Sequence, residues 1–203
     1  MERPPINPGR VDWTGENPCI YLREEENGPF TCLASFFRVI DSPYGGGHAL
    51  LLLADPQGKG GVGLPNVCLT DNPPLARWLK EEFAAHFGVF KGNPVLRDLP
   101  IRTGLAMPPS GDAKTSWTER MTTEGLEIAL TWSNLQEPFL VQLPKERSAT
   151  GVHELFSLFV DAQEAEVVVN GARVKGRVFP RDFQGRQSSH AFLAFSETWV
   201  RVS

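Results

Sequence analysis

The chain is poor in the residues that usually announce a chemistry. It has three cysteines, Cys19, Cys32 and Cys68. The number is odd and the spacings match no zinc pattern, so free, buried thiols are expected rather than a disulfide framework or a thiolate metal centre. Such usage also argues against secretion. Basic residues are not in excess: 20 Lys and Arg against 24 Asp and Glu give a formal net charge of −4. That argues against a dedicated nucleic-acid surface, which needs dense positive charge to displace counterions. Long apolar runs are missing too. The longest, residues 49–54, is far too short to span a bilayer. The polar, Pro-rich stretch 1–10 lacks the apolar core of a signal peptide. A cytoplasmic protein without a membrane or nucleic-acid partner is the expectation.

Catalytic signatures are also missing. There is no Gly-x-Ser-x-Gly elbow and no His-Glu-x-x-His helix. The four histidines, His48, His86, His153 and His190, are far apart, and no spacing predicts a metal site. Gly58-Lys59-Gly60-Gly61-Val62-Gly63 resembles part of a phosphate-binding loop. However, Leu64 and Pro65 follow where such a loop needs its Lys, a hydroxyl and the start of a helix. The segment therefore reads as a turn or flap. No metal and no cofactor are expected.

What the chain does have is large apolar volume, with 13 Phe and 5 Trp. Residues 1–29 are rich in Pro, Asn, Gly and Glu and read as a partly ordered arm. Residues 30–203 read as a single β-rich domain. Strand-like segments recur in it at intervals of roughly 10–12 residues. One amphipathic helix is predicted near 73–88. Thr70-Asp71-Asn72 offers capping oxygens, and Pro73 and Pro74 suit a first turn. Leu75, Trp78, Leu79, Phe83 and Phe87 then share one face, and Gly88 ends the helix.

Asn170-Gly171 predicts a two-residue hairpin turn, because both positions tolerate positive φ. That register sets Val169 against Ala172, Val168 against Arg173, Glu166 against Lys175 and Glu164 against Arg177. Each opposite-charge pair would contribute roughly 0.2–1 kcal/mol. The last strand, 189–202, alternates without showing which face points inward. Ala191, Leu193, Phe195, Glu197, Trp199 and Arg201 share one side of it.

The fold expected is an antiparallel β-barrel or curved β-sandwich of about ten strands with one helix. Its strand count resembles that of lipocalin-like barrels, although no residue motif carries the resemblance further. Three functions fit. The first is binding of an apolar or aromatic small molecule inside the barrel. Trp117, Trp132 and Trp199 on strands would line the cavity, with Arg201, and with Tyr44 and His48 at a glycine-rich mouth. The second is a cofactor-free hydrolase or isomerase, with His190 and Glu197 as catalytic candidates because they interrupt an otherwise apolar strand. The third is a protein–protein interaction module or oligomer subunit without a pocket, for which a homodimer is the simplest form. The lining of the largest cavity separates the three.

Overall fold

A computed structural model describes residues 9–60 and 63–202. The first eight residues, and Gly61 and Val62 of the glycine-rich segment, lie outside the described residues. The chain is mainly β. In order, its strands are β1 (Gly9–Glu16), β2 (Cys19–Arg23), β3 (Phe30–Asp41), β4 (Gly47–Leu53) and β5 (Asn66–Thr70). After helix α1 (Pro73–Glu82) come β6 (Ile101–Thr103), β7 (Leu105–Ala106), β8 (Ser110–Asp112), β9 (Ser116–Thr123), β10 (Leu126–Leu135) and β11 (Phe139–Leu143). The series closes with β12 (His153–Val169), β13 (Ala172–Arg173), β14 (Pro180–Phe183), β15 (Arg186–Ser189) and β16 (Ala191–Val202).

Fourteen strands form one mixed sheet, whose main path runs β6-β5-β4-β3-β1-β16-β12-β10-β9-β7. Strands β14 and β15 form a separate hairpin. Only the β5–β6 pair is parallel among the described strands. The two ends of the path, β6 and β7, are separated in the chain by Gly104 alone, whose N–H donates to the Thr70 carbonyl at 2.8 Å. The sheet therefore curls until its outer strands meet. The strand count exceeds the ten expected because many of the extra strands have only two to four residues, too short to leave a periodic signal.

Central strands are buried on both faces. In β3, Leu33 and Phe37 join one apolar cluster, and Ala34 and Phe36 the other. In β4, Leu51 and Leu53 oppose Leu50 and Leu52 in the same way. This is why the 49–54 run is continuously apolar. The cluster inside the curl packs Ile20, Phe36, Leu50 and Leu69 against Met121, Ile128, Leu130, Trp132 and Val167. The outer cluster packs the opposite face under α1 and the segments that follow it. Strand β12 links the halves: its first part pairs with β11 and β16, its second with β10 and β13.

Three local expectations need correction. Residues 9–23, read as part of an arm, form β1 and β2, and Trp13, Ile20 and Leu22 are buried. Glycine, Asp and Thr disguise β1 as a loop, but it sits between β16 and β3. Helix α1 ends at Glu82, and residues Ala84–His86 form a tighter 3-10 turn. Phe83 there packs within 5.0–5.9 Å of Trp13, Trp78, His153 and Trp199, and this packing redirects the chain. At Asn170-Gly171 the turn and its first two pairs are as read, and the Val174 N–H still donates to the Val167 carbonyl opposite it at 2.8 Å, but the pairing goes no further. Gly176 adopts positive φ, and Arg177 bridges to Arg23, so Glu166 pairs with Arg173 at 3.2 Å instead of Lys175.

Asn170 also fastens the neighbouring turn. Its Oδ1 accepts from the Glu127 N–H at 2.7 Å and its Nδ2 donates to the Gly125 carbonyl at 3.0 Å. Its φ of 49° lies in the left-handed region. Asn170→Ala is expected to lose about 2–3 kcal/mol in urea unfolding, combining left-handed strain with two hydrogen bonds. Asn170→Gly, which loses the two hydrogen bonds but adds no strain, should lose about 1 kcal/mol. Equal losses would show that the turn conformation contributes nothing.

Candidate functional site

A cavity of about 390 Å³ opens on the outer face of the sheet, away from the cluster inside the curl. Its floor is Cys19 and Tyr21 from β2, Leu155 and Phe159 from β12, and Phe192, Glu197 and Trp199 from β16. One wall is the 87–89 segment that follows the 3-10 turn. The other is the β14–β15 hairpin with Arg181 and Phe183, together with Leu143, Arg147 and Ala149. The hairpin is closed by Gln184 and Gly185, both at positive φ as such a tight turn requires. Arg147 Nη2 donates to Gln184 Oε1 at 2.6 Å, tying the two parts of this wall together.

A bulge sets which side chains reach the floor. Leu158 pairs with Phe195 and Phe156 with Thr198, so Ser157 alone faces both Ser196 and Glu197. Ser196 takes the extra step at φ 50°. Ahead of the bulge, Phe192 and Ala194 face the outer cluster, and Ala191 and Leu193 face inward. Beyond it the phase flips, and Trp199 joins the outer cluster. Without the extra residue Glu197 and Trp199 would follow Leu193 to the inner face, the grouping that simple alternation predicts.

The polar groups here are held in unusual states. Glu197 is 3% exposed. Burial pushes its carboxyl from an ordinary 4.5 up to about 8, against the opposing Trp199 indole and Ser157 hydroxyl. The indole Nε1 donates to Glu197 Oε1 at 2.7 Å. His190 is pushed down to about 4 by burial and by the cations Arg181 and Arg23. Its Nδ1 donates to the Phe179 carbonyl at 3.1 Å, which leaves Nε2 as the unprotonated nitrogen. Burial also raises the Tyr21 phenol and lifts the Cys19 thiol to about 12, so Cys19 is a neutral thiol and no nucleophile. Burial lowers Arg181, opposed by Tyr21, Cys19 and Asp161.

Of the residues proposed from sequence, His190, Glu197 and Trp199 line this cavity, and the others lie elsewhere. Trp132 is buried in the inner cluster and donates to the Cys19 carbonyl at 2.9 Å. Trp117 packs edge-on to Phe195 and donates to Glu119 Oε1 at 2.7 Å. Arg201 donates to Asp12 Oδ2 at 2.8 Å. Tyr44 is exposed beside Trp78, and His48 contacts Asp71 at 2.6 Å near the start of α1. Tyr21, Phe159, Arg181 and Phe192 also line the cavity, and nothing in the sequence points to them. A lone Arg in a polar hairpin, or a Tyr in an apparent arm, carries no local signal.

Two other ionic clusters are closed on themselves. Asp12 is held below the usual carboxylate range by hydrogen bonds from His153, Arg201 and Arg10, although burial works the other way. His153 in turn meets the Thr150 hydroxyl at 2.7 Å. Arg38 donates to both oxygens of buried Glu119, at 2.9 and 2.8 Å, and to Glu16 at 2.6 Å. These pairs meet their own needs and lie off the cavity. A second, larger depression of about 450 Å³ lies beside α1, but Phe90 is the one aromatic side chain in its lining, and Lys80 Nζ there already donates to the Arg97 carbonyl.

Glu197 makes stability depend on pH in a definite direction. Between about 4.5 and about 8 the unfolded chain releases its proton while the folded chain keeps it. Its contribution is therefore fully present below 4.5 and is lost as pH rises through 8. Glu197→Gln is neutral throughout. Its thermal midpoint should rise relative to the parent on going from pH 5 to pH 8.5. A gap that stays constant would refute the raised carboxyl.

No protein-family model, curated protein or solved structure matches the chain, so the reading of this cavity rests on its own geometry.

Proposed function

We propose that the protein binds an apolar or aromatic small molecule in this cavity. The observation that carries the reading is an open space of about 390 Å³ walled by Tyr21, Phe87, Phe159, Phe183, Phe192 and Trp199. Small-molecule sites have this size and this mix of aromatic wall with a few polar groups. The curled sheet is read as a lipocalin-like barrel, with one change to the expected site. Side chains fill the inside of the curl, and the ligand lies on its outer face, beneath the β14–β15 hairpin.

A neutral probe, N-phenyl-1-naphthylamine, should gain fluorescence on binding and quench Trp199. Leu155→Phe, which adds volume to the floor, should weaken that binding at least tenfold, an effect of about 1.4 kcal/mol or more. Absence of probe binding to the parent protein would sink the reading.

A second reading, acid–base catalysis without a cofactor, is favoured by Glu197 alone, because a carboxyl at about 8 can hold or release a proton near neutral pH. Its test is hydrolysis of 2-naphthyl acetate. Turnover by the parent that is lost in Glu197→Gln, with probe binding kept, would favour this reading over simple binding.

A further inference from the structure

Arg181 is the least satisfied group in the cavity. Its Nε and Nη2 are buried and have no hydrogen-bond partner. These two nitrogens carry the N–H groups along one edge of the guanidinium, the edge that grips a carboxylate with two parallel bonds. The group also lies against two rings. The guanidinium carbon lies 4.3 Å from the Phe192 ring centre and 4.9 Å from that of Phe183. Both rings line the cavity. Cation–π contact holds the group but cannot fill its donors.

Arg181 is half-buried as a residue, and two buried donors left empty on a guanidinium are destabilising unless something completes them. Protein groups nearby do not. Asp161 is within electrostatic reach, but its Oδ1 accepts from Ser188 at 2.8 Å, and no hydrogen bond joins it to Arg181 Nε or Nη2. Glu197 shares the cavity and is bonded to the Trp199 indole. His190, facing the same space, adds no negative charge.

We propose that the ligand of this cavity is a small aromatic carboxylate, its two oxygens accepting from Arg181 Nε and Nη2 while its ring lies among Phe159, Phe192 and Trp199. This rests on the binding reading above and narrows it to one class. A carboxylate matches the side-by-side donors, and aromatic walls favour a flat ring over a flexible chain.

The test compares 2-naphthoate with the neutral 2-naphthamide by Trp fluorescence and calorimetry. The parent protein should bind the acid roughly ten to a hundred times more tightly than the amide, the range for a charge-assisted pair. Arg181→Met should erase that preference while still binding the amide. Arg181→Lys, which keeps the charge and loses the fork, should retain only a small part of it. Arg181→Met should also unfold at a higher temperature than the ligand-free parent, because it removes the uncompensated cation. Equal affinity of the parent for acid and amide, or a preference that survives in Arg181→Met, overturns the assignment and leaves the binding reading standing. Failure of both compounds and of N-phenyl-1-naphthylamine overturns the two together. Tighter binding of octanoate than of 2-naphthoate overturns the aromatic part.

Discussion

The extra residue at Ser196 decides what the cavity contains. Strand β16 must serve two clusters, and alternation alone would commit each of its side chains to one side for its whole length. The bulge resets the phase between Phe195 and Thr198. Phe192, Glu197 and Trp199 then gather on the outer face, although they are spaced by five and by two. A similar slip in β1, between Val11 and Trp13, frees Asp12 to bind His153 and Arg201. Strand β16 thus meets one irregularity against each of its neighbours β12 and β1, one serving the cavity and one a closed ion cluster. Bulges are a common means of re-aiming side chains without leaving the sheet.

The two clusters have opposite characters. Around Asp12, one carboxylate takes hydrogen bonds from Arg10, Arg201 and His153, and the group acts as a clasp between β1, β12 and β16. In the cavity, Glu197 keeps its proton, His190 stays neutral, and Arg181 retains empty donors. A fold can tolerate a few such groups, because the two apolar clusters supply a large favourable term. Their concentration in one aromatic-walled space is what separates a site from ordinary core.

Much of the frame could be read along the chain, because it depends on near neighbours. Asn72, Pro73 and the spacing of Leu75 and Leu79 define the start and face of α1. Asn170-Gly171 defines a turn, since φ at those positions is a local matter. The site could not be read in the same way. Serine at position 196 gives no hint of left-handed backbone, and regular alternation on either side hides the slip. Arg181 resembles any hairpin arginine until the fold places Phe183 and Phe192 against it. Two ring partners of Tyr21 come from far away in the chain: Phe90 and Phe192 stand 5.9 and 6.1 Å from it. Pairings of that range leave no periodic trace.

Strand β1 has its neighbours at opposite ends of the sequence: Gly9 pairs with Val202 and Glu16 with Arg38. During synthesis, β3, β4 and β5 can pair as soon as they emerge, but β1 keeps an open edge until β16 has been made. The floor of the cavity is completed at the same moment, since Phe192, Glu197 and Trp199 arrive with that strand. A nascent chain therefore carries an uncovered β-edge from the making of β1 until β16 is made, a state prone to wrong pairing. The cavity cannot help to cover that edge, because its floor exists only once β16 is in place.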